Sequence, residues 1–381
     1  MTSTPDELPD PRSAPDPADV PAWAAEVHAL AIAGLDATGR AADALDEVLS
    51  RRLCRMLDDQ DGEALDALVR LAPSVAVARH VSRALAGLAL HPRSDDDALA
   101  LTLFALPIVV VAATTAREHA PTRLPGVVHD VDEVRALLIE HRALGGNETF
   151  VIGSALASAD AIDLRRLPSL LAKRALRGER TPLDVAPANI EVVADERAHL
   201  RFLVGSAIAA VDAKLLSPAP GQAWAMPLAR VLIAQLARPA VSVVALPRAP
   251  ADLVTAHSQG LAAQRDVSAQ LFASNALRSL RAQAGEPSAV ISAHRAADTR
   301  GGGELRLSLS SPLAPRAAQG FRCTLLPTER VVDVATMLTD LMRDCRVADV
   351  RIAPGVHPDR DAITGGPLLF KPETMPLRAV H

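Results

Sequence analysis

Nineteen consecutive residues, Ala98–Ala116, carry no charge, and Pro107 stands at their centre. A run of this length approaches the roughly 20 apolar residues that span a bilayer as a helix. A proline inside a helix removes a hydrogen bond and clashes with the preceding turn. The β-branched run Ile108-Val109-Val110-Val111 and the threonines Thr102, Thr114 and Thr115 favour extended backbone instead. The segment is read as a buried strand, or a helix followed by a strand, and not as a membrane span.

The rest of the 381-residue chain is rich enough in apolar residues to bury more than one core, at 49% hydrophobic. That excludes a collagen, a disulfide scaffold, a polytopic membrane protein and a wholly disordered chain. Basic residues number 40 against 45 acidic, a net charge of −5, and Lys173, Lys214 and Lys371 are the only lysines. Arginine-for-lysine usage and abundant alanine are what a GC-rich genome writes, so neither argues for phosphate recognition. Tyrosine is absent and aromatics make up 2%, which counts against stacking platforms for single-stranded nucleic acid. Cys54, Cys323 and Cys345 are widely spaced and form no zinc pattern, which fits a reducing compartment. The N-terminus lacks the basic and apolar regions of a signal peptide, so the expected location is the cytoplasm.

The fold class expected is mixed α+β. Residues 1–20, with five prolines among five acidic residues, read as a disordered acidic tail whose deletion leaves stability unchanged. Residues 21–92 read as a helical domain, with helices at Ala24–Leu35, Arg40–Leu57, Glu63–Leu71 and Val75–Leu88. In the second of these, Leu45, Val48, Leu49, Leu53, Met56 and Leu57 make one apolar stripe. Residues 98–216 read as an α/β unit. Its helix starts at Asp130, with Glu133 completing a capping-box-like pair, and stops at Gly145-Gly146. Thr149–Ala157 follows as a strand or short helix.

Residues 223–353 read as a second α/β or α+β unit. Glu304–Ser310 alternates, Leu305, Leu307 and Leu309 against Arg306 and Ser308, as a half-exposed antiparallel strand does. A strand at Phe321–Leu326, a helix at Val332–Arg343 and a strand at Val347–Ile352 follow. Residues 354–381, rich in Pro and Gly, read as a wrapping tail. Phe150-Val-Ile-Gly-Ser-Ala-Leu-Ala157 recurs as Phe202-Leu-Val-Gly-Ser-Ala-Ile-Ala209. Ala105-Leu106-Pro107 with Val151-Ile152 recurs more loosely as Ala245-Leu246-Pro247 with Val290-Ile291. Duplication of an α/β unit is one explanation of these echoes. Chance in an Ala-rich chain is the other.

No triad, P-loop, dinucleotide fingerprint, zinc signature or calcium loop is present. His129, Asp130 and His294 are the candidate acid–base residues, with Asp132, Glu133 and His141 beside the first two. Against this, a capping role explains Asp130, and a core position explains His141. Arg165, Arg166, Lys173, Arg174, Arg177 and Arg180 form a basic cluster, readable as an anion or partner patch. Cations in a last helical turn between Pro168 and Gly178 are the plainer reading. The glycine loops at 145–146, 301–303 and 365–366 lack the strand-to-helix setting of a phosphate cradle. Cys345 sits at the wrong helix end for a reactive thiolate. His357, Asp359 and Asp361 form a polar loop with no assigned role.

The function expected first is a non-catalytic interaction or assembly protein, a subunit of a larger bacterial complex, working with a protein partner or as a homo-oligomer. No cofactor and no metal is expected. An enzyme or small-molecule binder, with a cleft between two α/β units and His129, Asp130 or His294 at its mouth, is the alternative. A nucleic-acid-associated protein using residues 165–180 comes third.

Overall fold

The computed structural model describes residues 5, 8–12, 17–58, 62–89, 99–111, 123–124, 126–145, 150–158, 190–191, 198–210, 224–236, 250–295, 302–311, 318–361 and 366–370. Among these the fold is mixed α+β, with eight α-helices, a three-stranded sheet, a four-stranded sheet and a two-stranded ribbon. In chain order these are α1 (Ala22–Asp36), α2 (Arg40–Asp58), α3 (Gly62–Arg70), α4 (Val75–Ala89), β1 (Leu99–Val111), β2 (Arg123–Leu124) and α5 (Val131–Glu140). Next come β3 (Phe150–Ser158), β4 (Ile190–Glu191), β5 (Ala198–Ala210), α6 (Ala225–Leu236) and α7 (Leu253–Ala284). The chain closes with β6 (Ser288–Arg295), β7 (Gly303–Ser310), β8 (Gln319–Thr324), α8 (Val331–Asp344) and β9 (Asp349–His357).

Two compact units form, each from separated stretches of chain. Met1–His28, Leu68–Arg79 and Arg265–His381 make one, and Ala29–Ala67 with His80–Gln264 make the other. The helices α1 to α4 fall where the sequence places them, within two residues at each end.

The second of these units holds the uncharged run. Leu99–Val111 is one unbroken strand, antiparallel to β5 along all thirteen residues, in a sheet of order β1-β5-β3. Phe104, Leu106, Ile108 and Val110 face a core with α5 and α6, while Leu103, Ala105, Val109 and Val111 are buried as well. Burial of both alternate sets removes any need for polar alternation, which is why the run carries no charge. The first half of α7 packs at Gly260, where a Cβ would come within 2.8 Å of Leu200 and Phe202 on β5.

Pro107 is tolerated because β1 is an edge strand. Ala105 exchanges backbone hydrogen bonds with Ala251, at 2.8 and 3.2 Å. The backbone groups of residues two apart point the same way, so Pro107 also turns its nitrogen away from β5. The ladder to β5 therefore loses no bond. Residues 112–116 lie outside the described residues, and no described helix is long and apolar enough to cross a membrane.

The matched segments at 150–157 and 202–209 lie on neighbouring antiparallel strands, with Phe150 opposite Ala207 and Phe202 opposite Ala157. The register shifts between Ile152 and Leu156, where Ser154 and Leu156 bond instead to Val128 and Gly126. Residues 245–247, the marker of the looser echo, lie outside the described residues.

The other unit is built on a sheet of order β8-β7-β6-β9, with β6–β9 parallel and the remaining pairs antiparallel. Ala289, Ile291, Ala293, Leu305, Leu307, Leu309 and Cys323 meet Ala269, Ala273, Ala276 and Leu280 of α7 and Val334, Ala335, Leu338 and Met342 of α8. β7 is antiparallel as expected but not half-exposed. All eight of its residues are buried, and both its edges are paired.

The N-terminal segment also departs from expectation. Leu8 joins the core of this unit, and Pro11 is buried. The Arg12 guanidinium donates to the carbonyls of Leu326 at 2.9 Å and Glu329 at 2.9 Å. Five prolines and five acids give residues 1–20 the composition of a free tail, yet one leucine and one arginine suffice to dock residues 8–12.

Candidate functional site

The second face of the four-stranded sheet gathers the polar residues that strand alternation sets opposite the leucines. Register places Ser292, Arg306 and Arg322 in one row across β6, β7 and β8, and His357, His294 and Glu304 in the next. Ser308 and Ser310 continue the β7 row, and Ser288 lies opposite Ser310. Over this face lies a hairpin of residues 358–361 and 366–370, closed by Asp361 N–H to Gly366 O at 2.8 Å and Leu368 N–H to Asp359 O at 3.2 Å. Phe370 plugs it against Val290 and Ala353, and its N–H donates to Ser308 Oγ at 3.3 Å.

Arg306 is fully buried, 0% exposed, and every described partner of its guanidinium is an oxygen. Nε donates to Glu304 Oε1 at 2.6 Å. The terminal nitrogens reach the carbonyls of Asp359 at 2.5 Å and Leu368 at 3.2 Å, and the Asp359 carboxylate. Glu304 Oε2 accepts a second arginine, Arg322, at 2.8 Å, and Arg322 lies 3.7 Å from Asp359. Two guanidinium groups thus balance two carboxylates. Balance of this kind is what lets charge be buried at all, because an unpaired buried ion costs several kcal/mol.

His294 is enclosed beside this network. Its Nδ1 lies 2.8 Å from the carbonyl of Pro358, which can only accept, so Nδ1 carries the proton. Its Nε2 then accepts from Ser292 Oγ at 2.8 Å. Burial, helped by the charges of Arg306 and His357, pulls its pKa down to about 4, against the Pro358 hydrogen bond and Asp359. The ring is therefore neutral at neutral pH. His357 lies 5.6 Å from His294 between ring centres, and burial lowers its pKa too.

A serine hydroxyl on an imidazole nitrogen is the first contact of a nucleophile–base pair. Here the third member is a carbonyl, and Ser292 and His294 are both 0% exposed beneath the hairpin. In this closed arrangement no reacting atom of a substrate can sit beside Ser292 Oγ.

His129 and Asp130 belong to the other unit from His294. Asp130 is the N-cap of α5, its carboxylate accepting from Glu133 N–H at 2.9 Å. Its backbone N–H and carbonyl both bond to the Gln235 side chain of α6, at 2.9 and 3.0 Å. His141 caps the C-terminal end of α5. Arg165, Arg166, Lys173, Arg174, Arg177 and Arg180 lie outside the described residues. The expected stop at Gly145 comes too late: α5 ends at Glu140, and Arg142, with φ of +49° and its N–H on Ile139 O, is the left-handed residue that closes it, while Gly145, φ +63°, lies in the turn beyond. Cys345 is the C-cap of α8 and lines a surface hollow of about 410 Å³ with Ser274, Leu277, Arg278 and Arg281. Among the described residues no group of three His, Cys, Asp or Glu side chains is placed to hold a metal ion.

Sequence reasoning gave no functional role to Glu304, Arg306, Arg322 or Asp359 and did not bring them together. The signal was faint but present: Glu304 and Arg306 share one face of a strand, and an acidic Pro/Gly hairpin follows β9. It also passed over a second cluster, in which every carbonyl from Leu326 to Glu329 accepts from an arginine. Arg79 takes Thr328 O at 2.6 Å, and Arg12 takes the other three. Arg265 joins through the Glu329 carboxylate at 2.5 Å.

The fold defines a mixed α+β protein with a closed arginine–carboxylate face. Comparisons with protein-family models, curated proteins and solved structures give no match to this chain.

Proposed function

We propose that this is a non-catalytic cytoplasmic interaction or assembly protein, a subunit of a larger bacterial complex that binds a protein partner or a second copy of itself. The observation that supports the reading is the outward face of α1. The helix sequence, AWAAEVHALAIAGLD, is apolar around its whole circumference except at Glu26, His28 and Asp36. Helices of that kind are ordinarily buried on all sides. Here Ala24, Val27, His28 and Ala31 are buried, while Ile32 and Leu35 remain 41% and 44% exposed, with Ala25, Ala29 and Ala33 also exposed. A partner covering that face removes this apolar surface from water. Strand addition by a partner at β7 does not contribute, because β7 is paired on both edges.

The test combines tagged purification from the native host, with soluble and membrane fractions separated, and analytical ultracentrifugation of the purified chain. A stoichiometric complex or a dimer is expected in the soluble fraction. It should be lost in Ile32→Asp/Leu35→Asp while the melting temperature of the isolated chain holds. A solitary monomer, or a complex indifferent to the double variant, would sink the reading.

A further inference from the structure

We propose that Arg306 and Arg322 form a carboxylate-binding site that the chain fills with its own Asp359, so the external ligand this site would take is a small carboxylate. Three observations converge. First, three of the acceptors around the Arg306 guanidinium come from the hairpin and not from the sheet: the Asp359 carboxylate, the Asp359 carbonyl and the Leu368 carbonyl. Guanidinium presents planar, forked donors that match carboxylate geometry. Second, the sheet's own carboxylate, Glu304, is shared between both arginines, one oxygen to each. It therefore neutralises one positive charge and leaves one for the hairpin to supply. Third, the hairpin is a short covering piece whose described contacts with the sheet concentrate at Pro358, Asp359, Leu368 and Phe370.

Removing the Asp359 carboxylate leaves a net positive charge beside a fully buried arginine. That state is costly unless another anion enters. Exposed Arg360, 3.9 Å from Asp359 Oδ2, adds a third positive group at the rim. Ser292 and His294 lie beside Arg306 in the same face, and with His294 neutral neither adds a charge of its own. The site thus selects a single negative charge on planar oxygens. In the closed protein an external carboxylate reaches the arginines only when the hairpin gives way, and Asp359 is its internal competitor.

The experiment is thermal unfolding of the full chain and of Asp359→Ala. Sodium formate is titrated against sodium chloride at equal ionic strength. Asp359→Ala should melt below the natural chain, and formate should raise its Tm saturably by about 2–4 °C or more over chloride. The natural chain should respond to the two salts alike. Adding Arg322→Ala to Asp359→Ala should shift the formate midpoint upward several-fold, because half-exposed Arg322 can be shortened without opening the core. Equal responses of Asp359→Ala to formate and chloride overturn the proposal, as does a formate response in the natural chain as large as in the variant. If Asp359→Ala does not fold in chloride, formate should restore its cooperative transition. Failure to restore it overturns the proposal equally.

Discussion

The Phe104 ring on β1 lies directly over Gly205 on β5, its cross-strand partner, and occupies the space where a Cβ would stand. The same ring meets Phe150 of β3 edge-on, at 6.0 Å between centres and 73° between planes. One aromatic side chain therefore ties all three strands together, and it can do so only because position 205 has no side chain. Gly205→Ala should cost roughly 1–3 kcal/mol, since the fully buried ring has nowhere to move. Urea unfolding checks this. Phe104→Leu in the Gly205→Ala background should recover part of the loss, and strictly additive effects would mean the two residues do not compete for space.

The docked N-terminal segment makes its own prediction, opposite to the one its composition suggests. Deleting residues 1–12 removes Leu8 from the core and Arg12 from three carbonyls. Hydrogen bonds from a charged donor are worth about 1.5–3 kcal/mol, so the deletion should lower Tm clearly. Gly303→Ala should reproduce much of the effect without touching the segment, because its Cβ would lie 2.7 Å from Pro11 and 2.9 Å from Arg12. An unchanged Tm in both variants would show that residues 8–12 do not dock.

How far the fold was legible depended on whether the physics was local. The α5 cap at Asp130, the α2 stripe and the alternating β7 pattern all depend on neighbours within a few residues, and α2, β7 and the start of α5 formed where these patterns predict. What was illegible was what covered those elements. Arg306 and Ser308 read as solvent-facing because alternation reveals two faces and cannot say that a hairpin some fifty residues later closes the second. Arg12 docks on a carbonyl more than 300 residues away, and Leu8 on a core that begins at Ala269. The 32-residue α7 offered no clear stripe, because its residues up to Gln264 serve one unit and those from Arg265 the other. Of the candidate site, His294 was named as a candidate, while Arg306, His357 and Asp359 were noted separately and never brought to it. Its partners Ser292 and Pro358 are two and 64 residues distant.

Asp130 provides a test of how much a side-chain cap contributes to α5. Its carboxylate caps α5 through Glu133 N–H, and its backbone, not its side chain, holds Gln235. Asp130→Ala should therefore cost about 1 kcal/mol, the usual worth of a side-chain cap, and Asp130→Asn should retain most of it. Thermal melts of the two variants decide this. If Asp130→Asn is as damaging as Asp130→Ala, the charge on the cap, acting on the dipole of α5, contributes more than its hydrogen bond.

Stability should fall on acidification because of His294. In the unfolded chain this ring takes up a proton near its ordinary pKa of 6.5, whereas in the folded protein it does so only at about 4. Between those values the unfolded state binds more protons, so stability is full above pH 6.5 and falls as pH drops toward 4. The whole loss is on the order of 3 kcal/mol at 1.36 kcal/mol per pKa unit. Carboxylates titrate over the lower part of the same window, so the informative quantity is the difference between the natural chain and His294→Gln. Glutamine fills much the same volume, can bond both Ser292 and the Pro358 carbonyl, and does not titrate. Urea melts at pH 7 and pH 4.5 should show a smaller pH-dependent loss in His294→Gln. Equal losses in the two proteins would mean that His294 is already accessible to protons in the folded state, and that the hairpin does not seal this face of the sheet.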